Sequence, residues 1–447
     1  MPGPTPDPVE PNRFEEARDA DVVIIGGGII GASAALELAE RGLKVVLCDK
    51  GKIGAEQSSR NWGWVRLTQR DPREMPLMVE SVRLWKSLNA RIGDDTGYRQ
   101  CGITFSCASQ DDIEVMEPWL ERLQDYQLPA RMASAEEALA PFPGANVNIA
   151  GALVNEADGR AEPQKAAPAI ARAAQRLGAK ILTDTAVRTV ERTGGAVSAV
   201  ATEHGRINCR AVLVAGGAWS RLFLGNLGVT LPQLRMRNTV LRTAPVEGGP
   251  EMTFKHRDFT LRKRADGGYT IASMLTNCYA ITPDSFRLLR AFMPAIRNEW
   301  WSLSFTINGD FIDEIRRKRR WSGDERTPFE DMRILDPTPD EKAIRKVLAS
   351  LEAAWPVFRG VKVEQVWAGM MDITPDAIPV ISPIDSIPGL FVATGFSGHG
   401  FGLGPGAGRL AADLVAGTEP VVNPYEFRIG RFTDGSPIAP ISGVARR

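Results

Sequence analysis

Three glycines, Gly26, Gly28 and Gly31, stand at the spacing G-x-G-x-x-G, and an acid, Asp49, follows 18 residues after the last of them. Such a set can hold a dinucleotide. The first glycine permits a tight turn, the second lets a pyrophosphate approach the backbone, and the third lets a helix pack close to a sheet. The unpaired N–H groups of the helix start then attract the anion. Asp49 suits the hydrogen bonds of a ribose diol and repels a 2′-phosphate, which disfavours NADP.

Those residues need a strand before them, a helix after them and a second strand to carry the acid. All three are legible. Asp21 to Ile25 is a short apolar strand, Ala32 to Arg41 reads as a helix, and Lys44 to Asp49 as the second strand, a βαβ unit. Three distant segments return to the same ligand: Ser58-Ser-Arg-Asn61, Val214-Ala-Gly-Gly-Ala-Trp-Ser220, and Gly395 to Gly404 ahead of a helix from Ala407 to Ala416. A second helix start aimed at the ligand suits the negative charge of a reduced flavin, so these segments favour FAD over NAD.

Elsewhere, helical spacing predicts helices at Glu74 to Ala90, Glu114 to Tyr126, Ala135 to Ala140 and Glu162 to Leu177. Strands are expected near Lys180 to Leu182, Ala196 to Thr202, Ala211 to Ala215 and Leu390 to Ala393. Leu234 to Ala272 reads as β, with Ala265-Asp-Gly-Gly268 as a hairpin turn. Ser285 to Trp355 reads as mostly helical and carries the basic run Arg316 to Arg320, expected on a solvated or subunit-facing stretch.

The 447 residues allow two joined domains, and 54 basic against 54 acidic side chains argue against nucleic acid as a partner. Five cysteines without C-x-x-C spacing suggest neither a disulfide framework nor zinc, and His204, His256 and His399 are too scattered for a metal cluster. Cys48 is expected to be a core residue. No apolar run reaches the ~18 residues of a membrane span. The N-terminus lacks the layout of a signal peptide, so a cytoplasmic protein is expected, with homo-oligomers allowed.

Taken together, Gly26 to Gly31, Asp49, the Ser58–Asn61 loop, Gly216 to Ser220, Trp367 to Asp376 and Gly395 to Phe401 resemble the D-amino-acid oxidase-like (DAO) family of FAD oxidoreductases. The resemblance spans roughly Asp21 to Gly417. It implies an α/β fold: a Rossmann-like FAD-binding domain of the GR2 type, interleaved with a substrate domain of mixed β-sheet plus helices. The FAD-binding domain is expected at 21–90, 150–225 and 365–420, and the substrate domain at 91–149 and 226–364. Residues 1–20 are expected as a disordered tail and 421–447 as a C-terminal tail.

The resemblance also implies cofactor contacts. From the first unit come Gly26, Gly28, Ile30, Gly31, Asp49 and Lys50, and from the next loop Ser58, Ser59, Arg60, Asn61, Gly63 and Trp64. Val187, Ala215, Gly216, Trp219 and Gly369 follow, and the last loop adds Gly398, His399, Gly400, Phe401 and Gly402. The implied reaction oxidises the C–N bond of a small amine or amino acid by hydride transfer to flavin N5, and the imine is then hydrolysed. Oxygen, a quinone or another electron carrier would be the acceptor. A D-amino-acid dehydrogenase passing electrons to a quinone and a non-catalytic flavin-binding subunit are the alternatives.

The chain departs from the family pattern in three places. Met371, with Asp372 beside it, stands where amino-acid-oxidising members carry an arginine for the substrate carboxylate. Gly369 stands where some members attach flavin to a cysteine, which implies non-covalent FAD, and Gly402 where they carry a lysine. Met371 to Thr374 is closer to the γ-glutamylputrescine oxidase branch and favours an amine substrate. Arg66 is the candidate to replace the missing arginine. Trp62 and Trp64 are candidates for an aromatic substrate pocket, and His399 for the flavin edge.

Overall fold

The computed structural model describes residues 3–121, 124–274, 278–299, 304–307 and 309–438. Val22–Ile25 lies inside a six-stranded sheet, parallel to Val45–Cys48 on one side and Ala211–Val214 on the other. Lys180–Leu182 extends one flank, while Leu390–Thr394 and the antiparallel Val380–Pro383 extend the other. The parallel strands are continuous Val/Ile/Leu runs because both faces of the sheet are covered. Helix Ile29–Glu40 packs against Pro163–Arg176 and Gly400–Ala416, and Met75–Ile92 packs on the latter.

The glycine stretch predicted as a loop through Gly404 is helical from Gly400. Its glycines serve packing rather than flexibility. A Cβ on Gly404 would come within 2.5 Å of Ile29 Cγ1, and one on Gly408 would overlap Ser33, so only a bare backbone allows the first and last helices to touch.

A ten-stranded sheet forms the second layer, with Leu234–Thr243 at its heart. This strand pairs along its length with Val363–Ile373, in the register Met236↔Met371, Asn238↔Gly369 and Val240↔Trp367. Those side chains share one face, and Arg235, Arg237, Met370 and Asp372 share the other. The predicted hairpin forms between Phe259–Lys263 and Tyr269–Ser273. The region expected to be helical up to Trp355 is broken into Pro283–Arg287, Leu289–Glu299, Gly309–Arg316, Pro328–Asp331 and Glu341–Ala354, with strand Ser304–Thr306 between them.

Neither terminal segment is a loose tail over its described residues. Asp7 N donates to Gln164 O (2.9 Å), and Asn12 exchanges bonds with Ile181 on the edge strand Lys180–Leu182. An edge strand has unpaired backbone groups, and this proline-rich segment covers them. Near the other end, Arg431 forks onto Asp376 at 2.8 and 3.1 Å, both side chains being buried, because a carboxylate out of water needs a partner. Among the described residues no helix is long and apolar enough to cross a membrane.

Candidate functional site: a cofactor groove and an adjoining cationic recess

A groove of about 170 Å³ opens at the C-terminal ends of the parallel strands. Gly26 and Gly28 line it, at the start of helix Ile29–Glu40. Gly26 adopts φ 108°, and a Cβ there would come within 2.5 Å of Ala215 O. Asp49 fixes the turn by accepting from Gly27 N and Gly51 N, both at 2.7 Å. Burial raises its pKa, opposed by the charge of Lys50 and these amide bonds. Ser58 Oγ accepts from Ile29 N at 2.9 Å, leaving the next first-turn amides, Ile30 and Gly31, without intrahelical acceptors.

The groove brings together Gly26, Gly28, Ile30, Asp49, Lys50, Ser58, Asn61, Val187, Ala215, Gly216, Trp219, Gly398, Gly400 and Phe401. Several expected contacts lie outside its lining for identifiable reasons. A Cβ on Gly31 would overlap the Gly26 carbonyl, so this glycine serves the turn. Ser59 Oγ donates to Glu56 O. Arg60 turns away to Asp336 Oδ1 (2.5 Å) and Ala368 O (3.0 Å). Gly63 abuts Ala161 O and Arg262, and Gly369 faces Gln57. Gly402 packs near Trp64 O, and its carbonyl accepts from Ser81 Oγ (2.7 Å) and Trp85 Nε1 (2.9 Å).

His399, Met371, Trp64 and Arg66 also lie outside the groove lining. Met371 Sδ approaches Gly398, and a Cβ added there would be 3.1 Å away. His399, between two groove glycines, places Nδ1 3.0 Å from Glu74 Oε2. Burial and the charge of Arg70 push His399 below its ordinary pKa, against the opposing pull of the Glu74 carboxylate. Burial opposes ionisation of Glu74. His399, Arg70 and Arg66 nevertheless hold its carboxyl below the usual range.

Beyond this pair lies a cluster of aromatic rings. Trp62 and Trp64 meet edge to face at 5.3 Å, and Trp64 and Phe105 at 5.8 Å. Arg66 and Lys255 both lie over Phe105, at 5.7 and 4.6 Å from the ring centroid. Arg66 Nη1 donates to the carbonyls of Thr68 and Gln69, and among the described residues it forms no ion pair. Burial, with Arg70 alongside, pushes Arg66 down to about 9. Asp158, which burial pushes up to about 6, accepts from Leu67 N and Thr68 Oγ1, both at 2.5 Å, and its charge partly opposes the fall of Arg66. Trp64 Nε1, Arg70 Nη1 and Glu74 Oε1 are buried without hydrogen-bond partners.

A second cavity, of about 140 Å³, shares Ala218 and Met370 with the groove. Arg317 and Arg319 of the basic run line it, so that stretch is not simply a solvated face. Arg319 pairs with Asp284 and Glu314, whereas Arg235 and Arg317 lie over the Trp219 ring, at 5.0 and 5.6 Å. Sequence reading missed Lys255, Glu74, Arg70 and Gln57. Only Glu74 left a trace, as an acid just ahead of an amphipathic helix. Gln57 Oε1 is a buried, unpartnered acceptor on the groove wall. With the glycine backbone and the free helix-start amides, it fits an extended dinucleotide.

The family of FAD dependent oxidoreductases named DAO matches residues 21–414. The chain is 27% identical to the glycine oxidase of Bacillus subtilis, covering 93% of this chain and 98% of that protein. Its identity to the glycine oxidase of Pseudomonas aeruginosa is 26%, over 91% and 97% of the two chains. The fold is similar to the L-amino acid deaminase from Proteus myxofaciens in complex with anthranilate, with TM-score 0.90, 33% identity and 97% of each chain covered. It is also similar to the L-amino acid deaminase from Proteus vulgaris, with TM-score 0.91, 31% identity and coverage of 95% and 99%. With its glycine turn, groove and these relatives in agreement, the chain belongs to the DAO family and is an FAD-dependent oxidoreductase of amines or amino acids.

Proposed function

We propose that the chain oxidises the Cα–N bond of a free α-amino acid to the imino acid, which water hydrolyses to a 2-oxo acid and ammonia. Arg66 carries this assignment. It is a half-buried guanidinium beside His399 and Trp64 with no acid of its own among the described residues, and a carboxylate is its natural partner. The amine preference drawn from Met371 therefore gives way to an amino acid, with Arg66 taking over the missing arginine's task. The relatives named for amino-acid deamination and glycine oxidation support the same substrate class.

Bound FAD supplies the acceptor for the hydride equivalent leaving Cα. Gly26, Gly28, Ile30, Ser58 and Gln57 would hold it, and Gly369 offers no thiol for a covalent link. Neutral His399, donating from Nδ1 to Glu74, keeps Nε2 as an acceptor for the substrate's ammonium proton, so that the amine is uncharged when the hydride leaves. The aromatic wall excludes water from the imine until release.

Anaerobic flavin bleaching by paired α-amino acids and their decarboxylated amines tests the proposal. The amino acids are expected to bleach the flavin and the amines to fail. Arg66→Met should raise KM for every amino acid by about 100-fold. Reduction by the amines alone would refute the assignment.

A further inference from the structure

The proposed reaction uses Arg66 and leaves Lys255 unexplained. Lys255 closes strand Thr253–Lys255 and extends over Phe105, the same ring that Arg66 covers. Among the described residues its ammonium donates only to a neutral acceptor, Gln69 Oε1, at 3.1 Å. The neighbouring acid Asp112 is engaged by Ala108 N and Ser109 N at 2.8 and 3.2 Å, and Asp158 by Leu67, Thr68 and Asn155. Two cations therefore converge on one aromatic wall, and neither forms an ion pair among the described residues.

Like charges that converge out of water are destabilising unless anions meet them. Both side chains keep some contact with solvent, although burial disfavours their charged forms. Trp64 Nε1, on the same wall, adds a buried donor without a partner. A single carboxylate satisfies Arg66 and leaves Lys255 as it was. Two carboxylates on one small molecule satisfy both.

We infer that the preferred substrate is a dicarboxylic α-amino acid of the aspartate or glutamate type, its α-carboxylate on Arg66 and its side-chain carboxylate on Lys255. This inference rests on the amino-acid reading of the site. It makes Lys255 a specificity-determining residue: substrates lacking the second carboxylate leave it unpaired, and that cost falls on them alone.

The FAD-loaded protein is titrated with glutarate and with butanoate, following flavin absorbance and heat of binding. Glutarate should bind about 30-fold more tightly, Lys255→Met should erase that difference, and Lys255→Arg should keep most of it. In turnover, the kcat/KM ratio of glutamate over norvaline should fall by about 30-fold in Lys255→Met, with both enantiomers and aspartate assayed alongside. Equal binding of the two acids by the unaltered protein, or a preference that survives Lys255→Met, overturns the inference. Bleaching by norvaline but by neither acidic amino acid overturns it and leaves the amino-acid reading intact. Bleaching by amines and by no amino acid of either kind removes both.

Discussion

His399 Nδ1 and Glu74 Oε2, 3.0 Å apart, join the residue that caps helix Gly400–Ala416 to the one that caps Met75–Ile92. One part-buried hydrogen bond thus pins two helix starts together beside Gly398 and Gly400 on the groove wall. Arg70 completes the set, with Nη1 4.0 Å from the same carboxylate.

Glu74→Ala leaves Arg70 buried without its acid and should cost about 3 kcal/mol in unfolding free energy. The pKa of Glu74 is lowered in the folded state. Its contribution is therefore complete above the ordinary carboxylate pKa of about 4.3 and disappears as pH falls through the lowered value. Urea unfolding at neutral and acidic pH should find the variant weaker at pH 7, with a shallower loss below about pH 4. Equal neutral-pH stabilities would contradict this role.

Lys255 should give substrate selection a pH signature. Burial and the charge of Arg66 push its ammonium down to about 7. It is charged below that value and neutral above it, so glutarate binding should weaken between about pH 6 and pH 9, while butanoate binding follows Arg66 and changes less. A bound carboxylate raises the lysine pKa, so the midpoint should move upward with glutarate concentration. Calorimetry across this range reads both effects.

Gly31→Ala should abolish FAD uptake, because the added methyl would overlap the Gly26 carbonyl and force the turn open. Gly408→Val should instead separate the first and last helices, lowering Tm while leaving partial uptake. Flavin absorbance after reconstitution, read beside thermal melting, separates the two outcomes.

Removing residues after 420, or introducing Arg431→Met, strands the buried Asp376 carboxylate and should cost about 3–5 kcal/mol. A dispensable tail would show no change, so chemical denaturation of the truncated chain decides the matter.

The unit from Gly26 to Asp49 was legible because strand, turn, helix and acid are neighbours in the chain, and local rules link their spacing to their geometry. The hairpin around Asp266 was legible for the same reason. Lys255 was not, since it meets Gln69 across 186 positions and nothing in the chain near either residue records the meeting. Glu74 and His399 are 325 positions apart. The stretch from Gly400 to Gly404 was misread because glycine signals both flexible backbone and close approach, and only the partner helix tells which applies. Arg60 was expected to face the ligand, but the partners of its Nη1, Asp336 and Ala368 O, lie on segments more than 270 positions away.

The six-stranded sheet draws its first strand from residues 22–25 and its last from 390–394. A ribosome must therefore release nearly the whole polypeptide before the nucleotide cradle can close, and the earliest-made strand waits, apolar on both faces, for its second neighbour, Ala211–Val214, made much later. Such long waits invite aggregation. Shortage of the vitamin precursor would then act on a fully synthesised but unliganded chain, and should show as lower protein abundance before it shows as slower turnover per molecule.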